Sequence, residues 1–454
     1  MKKQRSALAN EGAPLTLGTE PVGKLLVQYS IPAIIAMTAA SLYNITDSIF
    51  IGHGVGPLAL SGLAITFPLM NLSAAFATLI GIGSSTLLSI RLGQKDYDTA
   101  NSILGNAITL NIVMGLVYAV VILIFLDPIL YFFGASSDTL PYARDFMRII
   151  LCGNIVTYLY FGLNAVLRSS GNPRRAMYAM IFTVLINIIL NPLFVFKFGW
   201  GIRGSAMATV ISQTLVLAWQ IHFFSDKSNF IHLKRGIYRL KKKIVKDALS
   251  IGLASFLMNA AACVIVILIN QGLISHSGDL AVGAYGIVNR VAFLFLMIVM
   301  GLNQGMQPIA GYNYGARLND RVIKVLKHTI LWATIVMTLG FTIVQLFPHA
   351  VASIFTTDET LTNFAVEGLR RVFLFYPLVG FQMVTSTFFQ SIEKPKQAIF
   401  ISLTRQVIFL IPLLIILPRH WGINGIWLSM PISDFISIIL ALTLLLKQLR
   451  QLKI

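Results

Sequence analysis

The chain reads as an all-α integral membrane protein, with twelve transmembrane helices forming two parallel six-helix bundles around a central cleft. Composition, periodicity and an internal repeat lead there. Of 454 residues, 56% are hydrophobic and 11% charged, against roughly 45–50% apolar and 25% charged in soluble domains. Long apolar segments recur without strand-like alternation, so helices rather than a barrel satisfy the backbone in lipid. The pattern then repeats about 222 residues on. Gly56, Leu58, Ala59 and Ile65 return as Gly278, Leu280, Ala281 and Ile287, and Gly93, Phe133, Arg148, Pro173 and Ala176 as Gly315, Phe355, Arg370, Pro395 and Ala398. One residue is lost late in the second copy, where Trp200-Gly201-Ile202 answers to Trp421-Gly422-Ile423.

Segments near 28–51, 60–88, 102–126, 141–168, 174–197, 204–224, 249–273, 281–308, 323–347, 361–390, 398–417 and 424–446 are each long enough to cross, given roughly 20 residues per span. Six spans per copy is an even number, so the second copy re-enters from the same side. Parallel halves of this kind are the layout expected of a rocking, alternating-access transporter. The predicted organisation is a cytoplasmic N-terminal segment over 1–27, a first bundle over 28–224, a basic linker over 225–247, a second bundle over 248–447 and a cytoplasmic tail over 448–454. In the linker Ile231, Leu233, Ile237, Leu240 and Ile244 interleave with Lys234, Arg235, Arg239 and Lys241 to Lys243. That spacing predicts an amphipathic basic helix lying on the inner membrane surface, held by anionic headgroups. Proline starts matching helices after Gly171-Asn172 and Glu393-Lys394, because it suits a first helical turn and disfavours helix before it.

The net charge of +18 reports topology rather than nucleic acid. Lys2, Lys3, Arg5 and Lys24, then Arg91, Lys95, Arg168, Arg174 and Arg175, the linker, Arg317, Arg321, Lys324, Lys327, Lys394, Lys396 and the tail all fall on one side. The opposite face has few, such as Lys197, Arg203 and Arg419, so the positive-inside rule puts both termini in the cytoplasm of an inner (plasma) membrane protein. The N-terminus lacks a cleavable signal pattern. Cys152 and Cys263 sit alone in separate halves without ligand spacing and are expected to be packing residues. With no phosphate-binding Gly-Lys-Ser/Thr loop, transport, if that is the task, must be driven by a gradient.

Ionisable residues inside a membrane cost several kcal/mol unless paired or hydrated, which makes each a functional candidate. In the first half the sole carboxylate well inside a span is Asp47. Asn44 shares its helix face at a spacing of three, and Asn187 and Asn191 share a face of the fifth span, just before Pro192. Both clusters lie roughly 7–10 Å short of the outer end and can meet at one depth. One reading is a protonatable or cation-binding carboxylate in an amide cage, where burial favours its neutral form and amides or a monovalent cation its charged form. The other is a wetted helix-end aspartate, or interhelical polar glue. The second half has Arg290, Arg405 and Asp434 inside spans, with Gln304, Gln307 and Gln406 nearby. The economical account is a structural or gating network in which Asp434 neutralises one arginine and the other reaches water or an anionic substrate group. Val266 to Ile269 occupy the positions matching Asp47, so ion chemistry belongs to the first half.

At Tyr43-Asn44-Ile45-Thr46-Asp47, Asn187-Ile188-Ile189-Leu190-Asn191-Pro192, Gly171-Asn172-Pro173 and Gly301-Leu302-Asn303-Gln304-Gly305-Met306-Gln307-Pro308-Ile309, the chain resembles the multidrug and toxic compound extrusion (MATE) transporters, most of all their DinF/MepA-type branch. The resemblance covers nearly the whole chain. It implies efflux of bulky, often cationic organic compounds in exchange for protons or sodium ions, with Asp47 matching the aspartate credited with coupling and Asn187 the amide beside it. Related pumps usually carry aspartate where Asn191 stands. One fewer negative charge weakens strong sodium binding and tilts the expectation mildly toward protons.

The expected protein is therefore a monomeric antiporter among membrane lipids, acting on small organic substrates. It has no cofactor, no nucleic-acid partner, and no metal beyond a possible Na+ at Asp47. A flippase for lipid-linked oligosaccharide precursors is the nearest rival, but it should line its cleft with several cations to hold pyrophosphate. A non-transporting receptor fits the duplicated halves and buried carboxylate less well. An enzyme is not expected, because no metal-ligand cluster, activated nucleophile or carboxylate pair appears.

Overall fold

The computed structural model describes residues 15–452, without the side chains of 42–45 and 277–279. The described residues form helices and connecting turns, with no strand among them. The long helices are α1 Val22–Gly54, α2 Pro57–Gly93, α3 Tyr97–Ile124, α4 Leu140–Cys152, α5 Asn154–Ser169, α6 Pro173–Lys197, α7 Gly201–Ser225, α8 Lys242–His276, α9 Leu280–Gly315, α10 Asn319–Leu346, α11 Glu359–Val372, α12 Tyr376–Ser391, α13 Pro395–Trp421 and α14 Ile423–Leu452. Ten are long and apolar enough to cross a membrane, and α4–α5 and α11–α12 make two further spans, each bent by 56°. The bends fall at matching repeat positions, beside Gly153 and Phe375. At the first, a Cβ on Gly153 would lie 2.5 Å from Val210 Cγ2; at the second, Pro377 opens α12.

The repeat is legible in the backbone as well as in the letters. Lys95 (φ 61°) answers to Arg317 (φ 58°), and Gly171 (φ 95°) to Glu393 (φ 53°). Each turn adopts the left-handed conformation that lets a chain leave one helix and enter the next. Within each half the same helices pack: α7 on α4, α5 and α6, and α14 on α11, α12 and α13. Exposed Leu, Ile, Val and Phe line the outward faces of these helices, as a lipid solvent permits.

The chain divides into two compact units, one of Met1–Thr19 and Ile35–Gly252, the other of Glu20–Ile34 and Leu253–Ile454. The division falls inside helices. Residues 20–34 of α1 belong to the second unit, and α1 passes to the first just beyond Pro32, whose ring removes a backbone donor. Glycines explain the partition. In the first unit a Cβ on Gly83 of α2 would lie 1.9 Å from Ala248 O, and one on Gly252 of α8 1.8 Å from Leu79 O. In the second, a Cβ on Gly305 of α9 would lie 2.7 Å from Ser30 N, and one on Gly301 2.4 Å from Ile34 Cγ1. Gly83 and Gly305 are repeat equivalents, as are Ser30 and Gly252. Small residues four apart let backbones touch, the association mode favoured inside membranes.

The linker differs from the expected amphipathic helix. Between α7 and α8 the chain is irregular and lies strapped against α3. Asn106 Nδ2 donates to the carbonyls of Ile237 (3.2 Å) and Arg239 (3.1 Å), while its Oδ1 accepts from Lys241 N (2.7 Å). Asn101 Oδ1 accepts from His232 N (2.9 Å) and Thr109 Oγ1 donates to Tyr238 O (2.8 Å). Side chains on α3 thus take up the backbone hydrogen bonds a helix would have made internally. Gly105 makes room, since a Cβ there would lie 2.3 Å from Ile237 O. Ile231 and Ile237 are buried, but as anchors of a strap, and Ile244 is buried in the first turn of α8. Cys152 is exposed beside the α4–α5 bend rather than packed, and Cys263 is half-buried.

Candidate functional site

Three helices of the first unit converge on Asp47, and local sequence explains why. Pro192 interrupts the hydrogen-bond ladder of α6, which widens into a π turn over Leu193–Lys197; such turns are frequent at functional sites. Gly54 brings α1 against this turn, where a Cβ would lie 2.5 Å from Val195 Cγ1. Gly204 does the same for α7, where a Cβ would lie 2.9 Å from the Phe194 carbonyl carbon. Phe194, Phe198 and Trp200 stack beside the junction, with ring centroids 5.0 to 5.8 Å apart.

Asp47 is buried at 7% exposure. Its Oδ1 accepts from Asn191 Nδ2 and from Ser205 Oγ, the latter at 2.5 Å. Asn191 Nδ2 also donates to Ser205 Oγ at 3.2 Å, so amide and hydroxyl converge on one carboxylate oxygen. A turn away along both helices, Asn187 Nδ2 donates to Thr209 Oγ1 at 3.5 Å, and that hydroxyl donates to Ser205 O at 3.1 Å. The side chain of Asn44 lies outside the described residues. Among the described residues no cation pairs with Asp47; every donor that holds it is neutral. Asn191 Oδ1 is buried without a hydrogen-bond partner, which costs about 1–3 kcal/mol unless something donates to it. One carboxylate with neutral oxygens from an amide and a hydroxyl fits a proton or a small monovalent cation. Among the described residues no cluster of three or more His, Cys, Asp or Glu could hold a metal ion.

The second unit treats its buried carboxylate differently. Asp434 on α14, 5% exposed, accepts from Arg405 Nε at 2.6 Å. Arg405 sits in a π turn of α13 over Thr404–Leu410, and its carbonyl accepts from Ser433 Oγ at 2.5 Å. Gln406 lies in the same turn with Oε1 buried and unpartnered. Gln307 is buried and Gln304 half-buried on α9, and Arg290 on the same helix is exposed. Of the two arginines, Arg405 is the one Asp434 pairs with.

Ser205, Thr209 and Ser433 escaped sequence reading. The signal existed: Ser205, Thr209 and Ser212 recur at helical spacing along one buried face of an apolar helix.

The family model described as MatE matches residues 32–193 and 251–416, one stretch in each half. The chain is 27% identical over 419 residues to the multidrug export protein MepA of Staphylococcus haemolyticus, covering 92% of both chains. It is 26% identical over 422 residues to MepA of Staphylococcus aureus, covering 93% of both. Among solved structures it superposes on a MATE transporter in the bent conformation with a TM-score of 0.92 at 24% identity, over 98% of this chain and 99% of that one. A MOP superfamily transporter from Pyrococcus furiosus, described as having a binding pocket of reverse polarity, superposes with a TM-score of 0.91 at 24% identity, over 98% and 100%. A duplicated twelve-span architecture whose two halves are each matched by the family model leaves one conclusion: the chain is a multi-pass membrane protein belonging to the MATE family of multidrug efflux transporters.

Proposed function

We propose that this protein is a cation-coupled antiporter that exports bulky, often cationic organic compounds from the cytoplasm by alternating access. In this reading it works as a monomer in the inner (plasma) membrane, both termini cytoplasmic, with a proton or sodium ion bound at Asp47 as the counter-transported species. The observation that carries it is a buried carboxylate held, among the described residues, by neutral donors alone. With no counter-ion among the described residues, its charge is balanced by something that comes and goes. A proton on Asp47 removes its charge and weakens the pull on Asn191 and Ser205; release restores both. The occupied and free forms therefore hold α1, α6 and α7 together with different strength, and an ion can drive a conformational cycle only through such a difference. The proton is the favoured ion because Asn191 stands where a second carboxylate would strengthen sodium binding.

Efflux of a fluorescent organic cation from proteoliposomes, under an imposed proton gradient and then a sodium gradient, tests both class and ion. Efflux driven by neither gradient, or an Asp47→Asn variant with undiminished ion-driven flux, would reject the reading. The flippase alternative needs several unpaired deep cations, and the pairing of Arg405 with Asp434 removes one.

A further inference from the structure

At the basic end of the second unit α12 turns into α13 beside the end of α14. A cavity of about 210 Å³ opens there, with Lys394 and Lys447 on its walls together with the amides of Gln397, Gln448 and Gln451. Gln448 is 7% exposed, and among the described residues its amide has no hydrogen-bond partner. Among the described residues neither lysine is in an ion pair and no carboxylate lines the cavity. Glu393 precedes Lys394 in the turn but is not part of the wall.

The repeat shows that this is not the general condition of the fold. The positions matching Lys394 and Gln397 are Asn172 and Arg175, and those matching Leu444, Lys447 and Gln448 are Phe223, Asp226 and Lys227. In the first unit the Arg175 guanidinium lies over the Phe223 ring, 4.5 Å from its centroid, so cation and ring cover the corresponding place. Asp226 supplies the negative charge: its carboxyl is held below the usual range, chiefly by the Ser228 backbone N–H, with a smaller contribution from the positive charge of Arg175. In the second unit the shorter Gln397 and Leu444 leave the volume open, and a lysine replaces the carboxylate. Two ammonium groups and three amides converge where their repeat counterparts carry their own anion.

We infer that this cavity binds an anionic phosphate group, with Lys394 and Lys447 neutralising its charge and Gln448 donating to a phosphate oxygen from below. Two ammonium groups suit a compact, multiply accepting anion, and the cavity holds several times the roughly 30 Å³ of a water molecule. The phosphate can come from an anionic lipid headgroup at the membrane surface or from a free phosphate.

Native mass spectrometry of the intact, detergent-purified protein tests this with three probes: phosphatidylglycerol, phosphatidylcholine and inorganic phosphate. The expected result is one phosphatidylglycerol retained about tenfold more tightly than phosphatidylcholine, with that preference lost in the Lys394→Gln/Lys447→Gln variant. Displacement of the lipid by millimolar inorganic phosphate, or phosphate binding alone that the same variant abolishes, assigns the site to free phosphate. Gln448→Leu keeps both charges and is expected to weaken binding severalfold, which separates a built site from diffuse attraction. Equal retention of the two lipids with no phosphate binding by the wild type overturns the inference, with no variant required. So does equal loss in a Lys242→Gln/Lys243→Gln control, whose lysines begin α8 in the other unit.

Discussion

Asp47 and Asp434 are both buried carboxylates in apolar helices, one in each unit, and their partners differ in kind. Asp434 is held by the guanidinium of Arg405, a group charged at any accessible pH. Asp47 is held by an amide and a hydroxyl. A carboxylate beside a permanent cation has its charge balanced whatever the conformation, which suits a strut. A carboxylate among neutral donors needs a mobile counter-charge, which suits a switch. Both sit beside a π turn, Leu193–Lys197 near Asp47 and Thr404–Leu410 at Arg405, so backbone geometry alone does not decide the role. The partner does.

The largest effect that sharpens this contrast is on flux. Asp47→Asn is expected to reduce ion-driven efflux to the level of protein-free vesicles, whereas Asp434→Asn retains ion coupling; equal loss of coupling in the two variants erases the distinction. Next comes stability. Arg405→Met leaves Asp434 buried without its cation and is expected to cost about 3 kcal/mol, read as a lower unfolding temperature in detergent. The Arg405→Met/Asp434→Asn pair should recover most of it, because the uncompensated charge is gone; no recovery shows that the pair acts separately. Ser205→Ala removes one charge-assisted donor to the charged Asp47 and is expected to tighten the hold on a coupling proton by about 1.5 kcal/mol, roughly a tenfold lower half-saturating proton concentration. An unchanged value takes Ser205 out of the site.

The smallest effect lies outside the membrane and serves as a control on both carboxylates. Asp96 caps α3, accepting from Thr99 N at 3.0 Å, and its carboxyl is held below the usual range chiefly by Thr99. Because the folded value lies below the unfolded one, the stabilisation is present at neutral pH and lost as pH falls through the lowered value. Asp96→Ala should cost about 1 kcal/mol at pH 7, and that cost should shrink as pH falls below the usual carboxylate range. A cost independent of pH means that the capping carboxylate is not the cause.

The duplication, the twelve spans and the candidate carboxylates were legible in the letters because each rests on a local or periodic signal: apolar runs of span length, repeated glycines and prolines, and charges rare enough in lipid to stand out. Asn191 was legible because Pro192 marks the end of its helix and its face points the same way as that of Asn187. Ser205 and Ser433 were not, since a serine in an apolar helix commonly bonds its own backbone, as Ser89 and Ser437 do here. The linker misled for a related reason. Its apolar residues fit a helical face, but they also fit a strap, and the choice was made by Asn101, Asn106 and Thr109 on α3, more than a hundred residues earlier.

The amino-acid sequence alone therefore determined that the chain enters lipid, about how many times it crosses, that it is built of two repeats, and which acids fall inside apolar spans. Those follow from transfer free energies and spacing, which depend on each segment by itself. Only the tertiary structure decided that residues 20–34 pack within the second unit, that Ser205 joins Asn191 on Asp47, and that Arg405 rather than Arg290 meets Asp434. Each of these is a contact across long chain separation, made possible where glycines let helices close to backbone distance or π turns reorient a side chain. Such closeness is a property of two surfaces at once, and no single segment records it.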